Sequence, residues 1–150
     1  MSQTQIILQP IGTIHTEFKT RENIPRQGRL GTNNNGWVEI KPEFVEGLDR
    51  LNEYSHIFLI FNFNQSEGFH LTQITPNHQQ QKGVFATRSP YRPNPIGLTI
   101  VGLEKIEGNK IYFTGADMLD GTPLLDIKPY SPELDIYSEA KGNGMPHHHN

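Results

Sequence analysis

Short runs of apolar and alternating residues, separated by turns rich in glycine and proline, make up most of the chain. The clearest run is 55–63, where aromatic and β-branched residues predict a strand, and its unbroken apolar centre at 57–61 indicates burial on both faces. Shorter runs predict further strands over 5–18, 37–40, 84–87, 98–106, 111–114 and 124–127. The pattern therefore favours an all-β fold.

One segment has helical rather than strand periodicity. We predict a short amphipathic helix over 42–51, beginning at Pro42, because its apolar residues recur on one side of a helix. Residues 107–110 predict a hairpin turn, and 64–82 predict a long loop. With no internal repeat and no linker, we expect a single compact β-barrel with one short helix and long loops over 1–140, and a flexible tail over 141–150.

The composition excludes several classes of site. The 150 residues include no cysteine, which excludes disulfides, cysteine-based zinc sites, iron–sulfur clusters and thiol catalysis. The longest apolar run is far too short to cross a bilayer, and the first residues show no signal peptide. The histidines lack the spacing of a metal site. We expect a cytoplasmic protein that binds neither a membrane nor a metal.

Basic residues are concentrated in two segments. The formal net charge is −3, but 19–29 and 82–92 together contain seven basic residues and one acidic residue, so they carry +6 and the remainder carries −9. If the two segments meet in the fold, they form a basic patch suited to a phosphate-bearing partner. The alternative is that these residues are solvated individually in loops.

The first segment with candidate chemistry is 83–99, GVFATRSPYRPNPIGLT. Its three prolines fix the backbone and remove amide donors, which predicts an extended, rigid loop that cannot pair in a sheet. Arg88 and Arg92 present guanidinium groups suited to a carboxylate or phosphate. The loop is therefore either a binding loop or a crossover whose arginines bond to local carbonyls.

The second segment is 117–130, DMLDGTPLLDIKPY. Asp120 and Gly121 predict a tight turn. Asp126, Lys128 and Tyr130 alternate along a predicted strand and share one face, where the first two can pair. A hairpin with a surface ion pair is the alternative to a site.

These two strings, with IPRQG and YSHIFLIFNF upstream, resemble the TsaA-like family of TrmO-type tRNA methyltransferases over about residues 8–130. The resemblance implies a β-barrel that uses S-adenosylmethionine to methylate N6 of threonylcarbamoyl-adenosine, next to the anticodon of tRNA. It also implies a homodimer with the cofactor near the subunit interface. The implied cofactor contacts are Pro25, Arg26, Gln27, Asn64, Gln65, Arg88, Leu98, Asp120, Gly121, Thr122 and Pro123.

Methyl transfer to this nitrogen requires positioning, loss of a proton and recognition of the threonyl carboxylate. Asp120, Asp126 or solvent are candidate proton acceptors, and we expect Arg88 and Asp120 to be the most costly residues to lose. For the threonyl carboxylate, cationic candidates are Arg26, Arg88 and Arg92. The residues predicted to bind the substrate are Arg26, Arg92, Lys128 and Tyr130.

Two departures from the family pattern bear on the substrate. Many bacterial relatives carry a further C-terminal domain that this sequence does not include, and its net charge is acidic, which weakens nonspecific binding to RNA. Two alternative functions therefore stay open: a barrel that senses S-adenosylmethionine without turnover, and a methyltransferase acting on a small molecule.

Overall fold

Six antiparallel strands close into a barrel in the computed structural model, which describes residues 4–20, 34–75 and 79–142. The barrel strands are β1 (Gly12–Thr16), β2 (Asn35–Ile40), β3 (His56–Asn62), β6 (Ile96–Glu107), β7 (Lys110–Thr114) and β8 (Thr122–Pro129). Around the barrel their order is β1, β2, β7, β6, β3, β8. The predicted all-β barrel is confirmed.

Alternate residues of each strand fill the barrel interior, as the pleat of a β-strand requires. Burial alternates regularly along β1, β2 and β7, and the largest side chains inside are almost fully buried. They include Ile14, Val38, Leu59, Ile111, Phe113 and Leu124. At ~1.5–3 kcal/mol for each large side chain, this core is the main stabilising term.

β3 is wrongly predicted in one respect, because it is not buried on both faces. Ile57, Leu59 and Phe61 point into the barrel and are buried, whereas Phe58 and Ile60 point outward and are half-buried. A strand in a closed barrel has one inward and one outward face, so an unbroken apolar run places apolar side chains outside as well. The outward residues of β3 therefore contribute to an apolar surface.

The helix predicted over 42–51 is replaced by two 3₁₀ helices, Pro42–Leu48 and Leu51–Glu53. Arg50 lies between them with φ of 67°, a left-handed conformation that interrupts helical hydrogen bonding. The apolar periodicity was nevertheless informative, because all four of its side chains pack against the core: Phe44, Val45, Leu48 and Leu51.

Other boundaries also differ from the sequence prediction. The strand predicted over 5–18 is only five residues long, and Ile6 and Ile7 before it are more than four-fifths exposed. The predicted strand over 84–87 is a 3₁₀ helix, Val84–Ala86. The long loop contains a small hairpin, β4 (Thr72–Ile74) with β5 (Gln81–Gly83), and one α-helical turn, α1 (Pro132–Asp135), follows β8.

The predicted strands over 37–40, 98–106, 111–114 and 124–127 are present as β2, β6, β7 and β8, each somewhat longer than predicted. The hairpin turn at 107–110 is confirmed, with Gly108 at φ of 60°. In the ranges that the structure describes, no helix is long and apolar enough to cross a membrane. Residues 143–150, most of the predicted tail, lie outside those ranges.

Candidate functional site

A cavity of about 400 Å³ opens at the end of the barrel where β3 ends and β6 and β8 begin. Its volume lies within the range of about 300–1,000 Å³ that is usual for small-ligand sites. Apolar side chains form much of the wall, among them Phe61, Phe63, Met118 and Leu119. Six residues predicted from the sequence also line it: Asn64, Gln65, Arg88, Arg92, Leu98 and Thr122.

One wall of the cavity is the proline-rich loop. No residue from Arg88 to Pro95 forms a strand, as predicted. The backbone amide of Phe63 donates to the carbonyl of Pro95 at 2.8 Å, which joins this loop to the end of β3. The Gln73 amide nitrogen donates to the carbonyl of Tyr91 at 2.7 Å, so the small hairpin also supports the loop.

Arg92 bonds within its own loop. Its Nη1 donates to the carbonyls of Thr87 at 2.9 Å and Ser89 at 3.1 Å. This is the structural alternative considered from the sequence, in which an arginine fixes the loop conformation. Arg88, on the same loop, also lines the cavity.

Asp117 lines the same cavity, and its hydrogen-bond partner faces the barrel interior. Its Oδ2 accepts a hydrogen bond from Thr99 Oγ1 at 3.0 Å, and Thr99 is buried on the inward face of β6. Sequence reasoning missed Asp117 as a site residue, although it is the first residue of the second segment. The signal that distinguishes it is the pairing with Thr99, which is 18 positions away and is not readable from local pattern.

Asp120 lies beside the cavity rather than in its wall. Its carboxylate accepts hydrogen bonds from the Thr16 amide at 3.0 Å and from Lys19 Nζ at 2.8 Å, and its Oδ1 is 3.4 Å from His15 Nδ1. The hydrogen bond from Lys19 holds the pKa of Asp120 below its ordinary value, with further contributions from the Thr16 amide and His15. An ionised carboxylate held in this way is a weak proton acceptor.

The turn after Asp120 connects these contacts to the cavity. Gly121 has φ of 86°, which favours glycine, and its amide donates to the carbonyl of Ile14 at 2.8 Å. Thr122 follows, buried, with its hydroxyl donating to the carbonyl of Leu119 at 2.6 Å. Asp120 and Gly121 therefore fix the turn against β1, and the wall residues Leu119 and Thr122 lie on either side of it.

Asp126, Lys128 and Tyr130 are not brought to this cavity. They lie toward the other end of β8, where Asp126 lines a second cavity of about 540 Å³ that also contacts the 3₁₀ helices. Asp126 Oδ2 and Lys128 Nζ are 3.9 Å apart, a weak surface pair. The Tyr130 ring is 5.7 Å from that of Phe58, between ring centroids.

The remaining predicted residues either do not line the cavity or lie outside the described residues. Pro123 is in β8 next to the cavity wall but is not part of it. Pro25, Arg26 and Gln27 lie outside the described residues, as does most of the basic segment 19–29. Within the part of the chain that is described, no group of three or more His, Cys, Asp or Glu side chains is arranged to hold a metal ion.

An apolar surface lies next to the cavity on the outside of the barrel. It consists of outward side chains from β3 and β6, which we call the outer apolar face: Phe58, Ile60, Ile96, Leu98 and Ile100. The three β6 members are 39–51% exposed. Leu98 and Ile96 belong to both this face and the cavity wall, so the two features are continuous.

Comparisons with known proteins agree on one family. The model of the tRNA-methyltransferase O N-terminal domain matches residues 13–136. A probable S-adenosyl-L-methionine-binding protein of Pyrococcus abyssi is 47% identical over 136 residues, covering 91% of this chain and 74% of that protein. A mouse tRNA (adenine(37)-N6)-methyltransferase is 36% identical over 137 residues, covering 87% of this chain and 32% of that protein.

The fold comparison gives the same family. The crystal structure of TrmO from Pseudomonas aeruginosa matches with a TM-score of 0.81 and 39% identity, covering 93% of this chain. The chain spans 62% of that solved protein.

Proposed function

The chain belongs to the tRNA-methyltransferase O N-terminal domain family, and from this premise we propose that it transfers the methyl group of S-adenosylmethionine to N6 of threonylcarbamoyl-adenosine in tRNA. It is an S-adenosylmethionine-dependent tRNA methyltransferase by family. One observation carries the proposal to this chain's own residues: parts of the two candidate segments, within 87–98 and 117–122, meet at one cavity of about 400 Å³.

The residues of the cavity fit S-adenosylmethionine. The aromatic rings of Phe61 and Phe63 and the thioether of Met118 suit a flat adenine ring and a sulfur-bearing chain. The guanidinium of Arg88 suits the carboxylate of the cofactor's amino-acid part. The amides of Asn64 and Gln65 supply further donors and acceptors at the opening. Where bound, the cofactor supplies an electrophilic methyl group.

The chain's own contribution to methyl transfer is positioning. The fixed proline-rich loop and the Gly121 turn hold the two sides of the cavity at a constant separation, which favours in-line approach of the nucleophile. The apolar side chains of the wall lower the local polarity, which strengthens electrostatic interactions at the site. Asp120 stabilises the turn, and we assign the departing proton to solvent at the open mouth of the cavity.

Recognition of tRNA is proposed to depend on the modified base. Arg92, whose Nη1 bonds within its own loop, is also on the cavity wall, and we assign it to the threonyl carboxylate next to the reacting nitrogen. The chain is acidic overall, with a formal net charge of −3, so nonspecific RNA affinity is expected to be weak and to fall with salt. The proposed substrate also implies a cytoplasmic location, where tRNA is modified.

We propose that the protein is a homodimer through the outer apolar face. Contiguous exposed apolar side chains on one side of a barrel are typical of a protein–protein contact. The face is self-complementary in chemistry, which suits a two-fold dimer. Because Leu98 belongs to both the face and the cavity wall, a second subunit packed there lies at the edge of the cofactor site.

One experiment tests the activity. The protein is incubated with methyl-labelled S-adenosylmethionine and either native tRNA or tRNA lacking the threonylcarbamoyl group, and the RNA is digested to nucleosides. We expect label only in threonylcarbamoyl-adenosine from native tRNA. Equal labelling of both RNAs would contradict the proposed substrate. Label that appears only when a small-molecule extract replaces the RNA would favour a methyltransferase acting on a small molecule.

A second candidate function follows from the relatives that are named as S-adenosyl-L-methionine-binding proteins. In this alternative the barrel binds the cofactor as a sensor and transfers nothing. The same experiment separates the two, because a sensor binds S-adenosylmethionine and labels no RNA.

A further inference from the structure

We infer that Asp117 is the anionic contact for the positive charge of the bound cofactor, with Thr99 as its positioning residue. The inference rests on the proposed function, because it concerns the same cavity. Among the described residues that line this cavity, Asp117 is the only one with a carboxylate. Neither the family match nor the names of the relatives assign it a role.

The charge balance of the cavity requires such a group. S-adenosylmethionine carries a sulfonium and an ammonium against one carboxylate, so it enters as a net cation. The wall already contains Arg88 and Arg92, whose positive charges disfavour a bound cation in the same cavity. The carboxylate of Asp117 in the cavity lining offsets that repulsion, while the guanidinium of Arg88 suits the anionic end of the ligand.

The position of Asp117 is fixed rather than incidental. Thr99 is 3% exposed, on the inward face of β6, and its hydroxyl donates to Asp117 Oδ2 at 3.0 Å. A buried hydroxyl anchored on a barrel strand restricts the carboxylate to one orientation, so little entropy is lost when a cation binds.

The other carboxylates near the two segments do not serve this purpose. Asp120 is bonded to Lys19 and the Thr16 amide beside β1, and Asp126 lines the second cavity with Lys128 close by. Neither lines the proposed cofactor site.

Calorimetric binding of three related ligands tests the inference. S-adenosylmethionine carries both positive groups, S-adenosylhomocysteine carries the ammonium only, and 5′-methylthioadenosine carries neither. We expect Asp117→Asn to weaken S-adenosylmethionine about tenfold, the loss typical of a hydrogen bond to a charged group, and to change methylthioadenosine less than about twofold. Glu104→Gln, an exposed carboxylate on the same strand as Thr99, serves as the matched control and should bind as the unchanged protein does.

The Thr99 variants give an independent measurement. Thr99→Val removes the hydroxyl at nearly constant volume and should weaken S-adenosylmethionine about threefold, with methylthioadenosine unchanged, whereas Thr99→Ser keeps the hydroxyl and should restore the affinity. If Asp117→Asn fails to fold, the comparison of Thr99→Val with Thr99→Ser tests the inference instead. In Thr99→Val the Asp117 carboxylate is still present, but it has lost the hydrogen bond that orients it.

Each outcome has a fixed meaning. If the variant loses more affinity for S-adenosylmethionine than for S-adenosylhomocysteine, the result supports a contact with the sulfonium. If it loses the same affinity for both, and its affinity for methylthioadenosine is unchanged, the result supports a contact with the ammonium. Unchanged affinity for S-adenosylmethionine, or a loss on methylthioadenosine as large as the others, overturns the inference. If the unchanged protein binds none of the three ligands, the proposed function fails instead.

Discussion

Replacement of Gly97 by alanine should damage both the barrel and the cavity, because the glycine lies directly against the ring of Phe61. A Cβ at position 97 would overlap Cε2 of that ring and would lie 2.9 Å from Cδ2. Carbon atoms in good contact are ~3.5–4.0 Å apart, so the ring has to move by roughly 1 Å. Phe61 is 3% exposed and packs edge-on against Phe63, with ring centroids 5.3 Å apart, so the displacement passes to a second wall residue.

The magnitude follows from the cost of overpacking. Inserting one carbon into a tight interior costs ~1–3 kcal/mol, and for a chain of this size about 2 kcal/mol lowers Tm by roughly 4–8 °C. Because both rings line the cavity, we also expect affinity for S-adenosylmethionine to fall by about fivefold or more. Thermal unfolding and calorimetric binding measure the two effects on the same sample.

Two further variants make this prediction specific. Gly47→Ala adds the same carbon where nothing lies within 4 Å, and it should leave stability unchanged or slightly raised. In the double variant Gly97→Ala/Phe61→Leu the smaller side chain relieves the overlap, so the two changes should couple favourably by roughly 1 kcal/mol. A Gly97→Ala protein with the original Tm and affinity, or strictly additive losses in the double variant, would refute the reasoning.

Three other predictions concern single groups. Arg88→Ala should abolish the rise in Tm that S-adenosylmethionine produces while leaving the unliganded Tm nearly unchanged; a collapse of the unliganded Tm would instead make Arg88 a structural residue. Light scattering should give the unchanged protein a mass of about twice 17.1 kDa, and Ile100→Lys should halve that mass. The control Asn35→Lys, at an exposed position of β2, should keep the mass of the dimer. A monomeric unchanged protein would contradict the proposed dimer. Asp120→Asn should cost roughly 1 kcal/mol at pH 7 by chemical denaturation. The folded-state pKa of Asp120 is lowered, so the stability that it contributes is present above the unfolded pKa and is lost as pH falls through the folded pKa. The free energies of unfolding of the unchanged protein and of Asp120→Asn should therefore become equal in acid. A difference that stays the same at every pH would exclude the pairing with Lys19 as its source.

The strands were predictable from the sequence wherever one face is buried and one is not. The alternation in β7 and the turn at Gly108 are local signals, and both gave the observed structure. The 3₁₀ helix Val84–Ala86 was not predictable in this way, because a valine, a phenylalanine and an alanine have no local preference strong enough to oppose a strand. There the surrounding loop contacts decide the conformation.

The candidate site shows the same division between local and long-range information. Asn64, Gln65, Arg88, Leu98 and Thr122 were assigned through family resemblance, and they line one cavity. Alternation correctly gave Asp126 and Lys128 a common face but could not indicate that this face lies away from the cavity. Asp117 could be found only in three dimensions, because it lies in the loop after β7 and its partner Thr99 is on β6.

The order of strands around the barrel sets the order in which the site can form during folding. β1 pairs with β8, so Gly12 lies opposite Leu124, and β3 pairs with β6 across the whole intervening segment. Pairings between such distant segments form late and slowly. Residues of β3, β6 and β8 line the cavity together, so a partly closed barrel has no complete binding site for the cofactor. S-adenosylmethionine should therefore slow unfolding and leave the refolding rate unchanged. The rate at which binding is recovered during refolding then measures the rate at which the barrel closes.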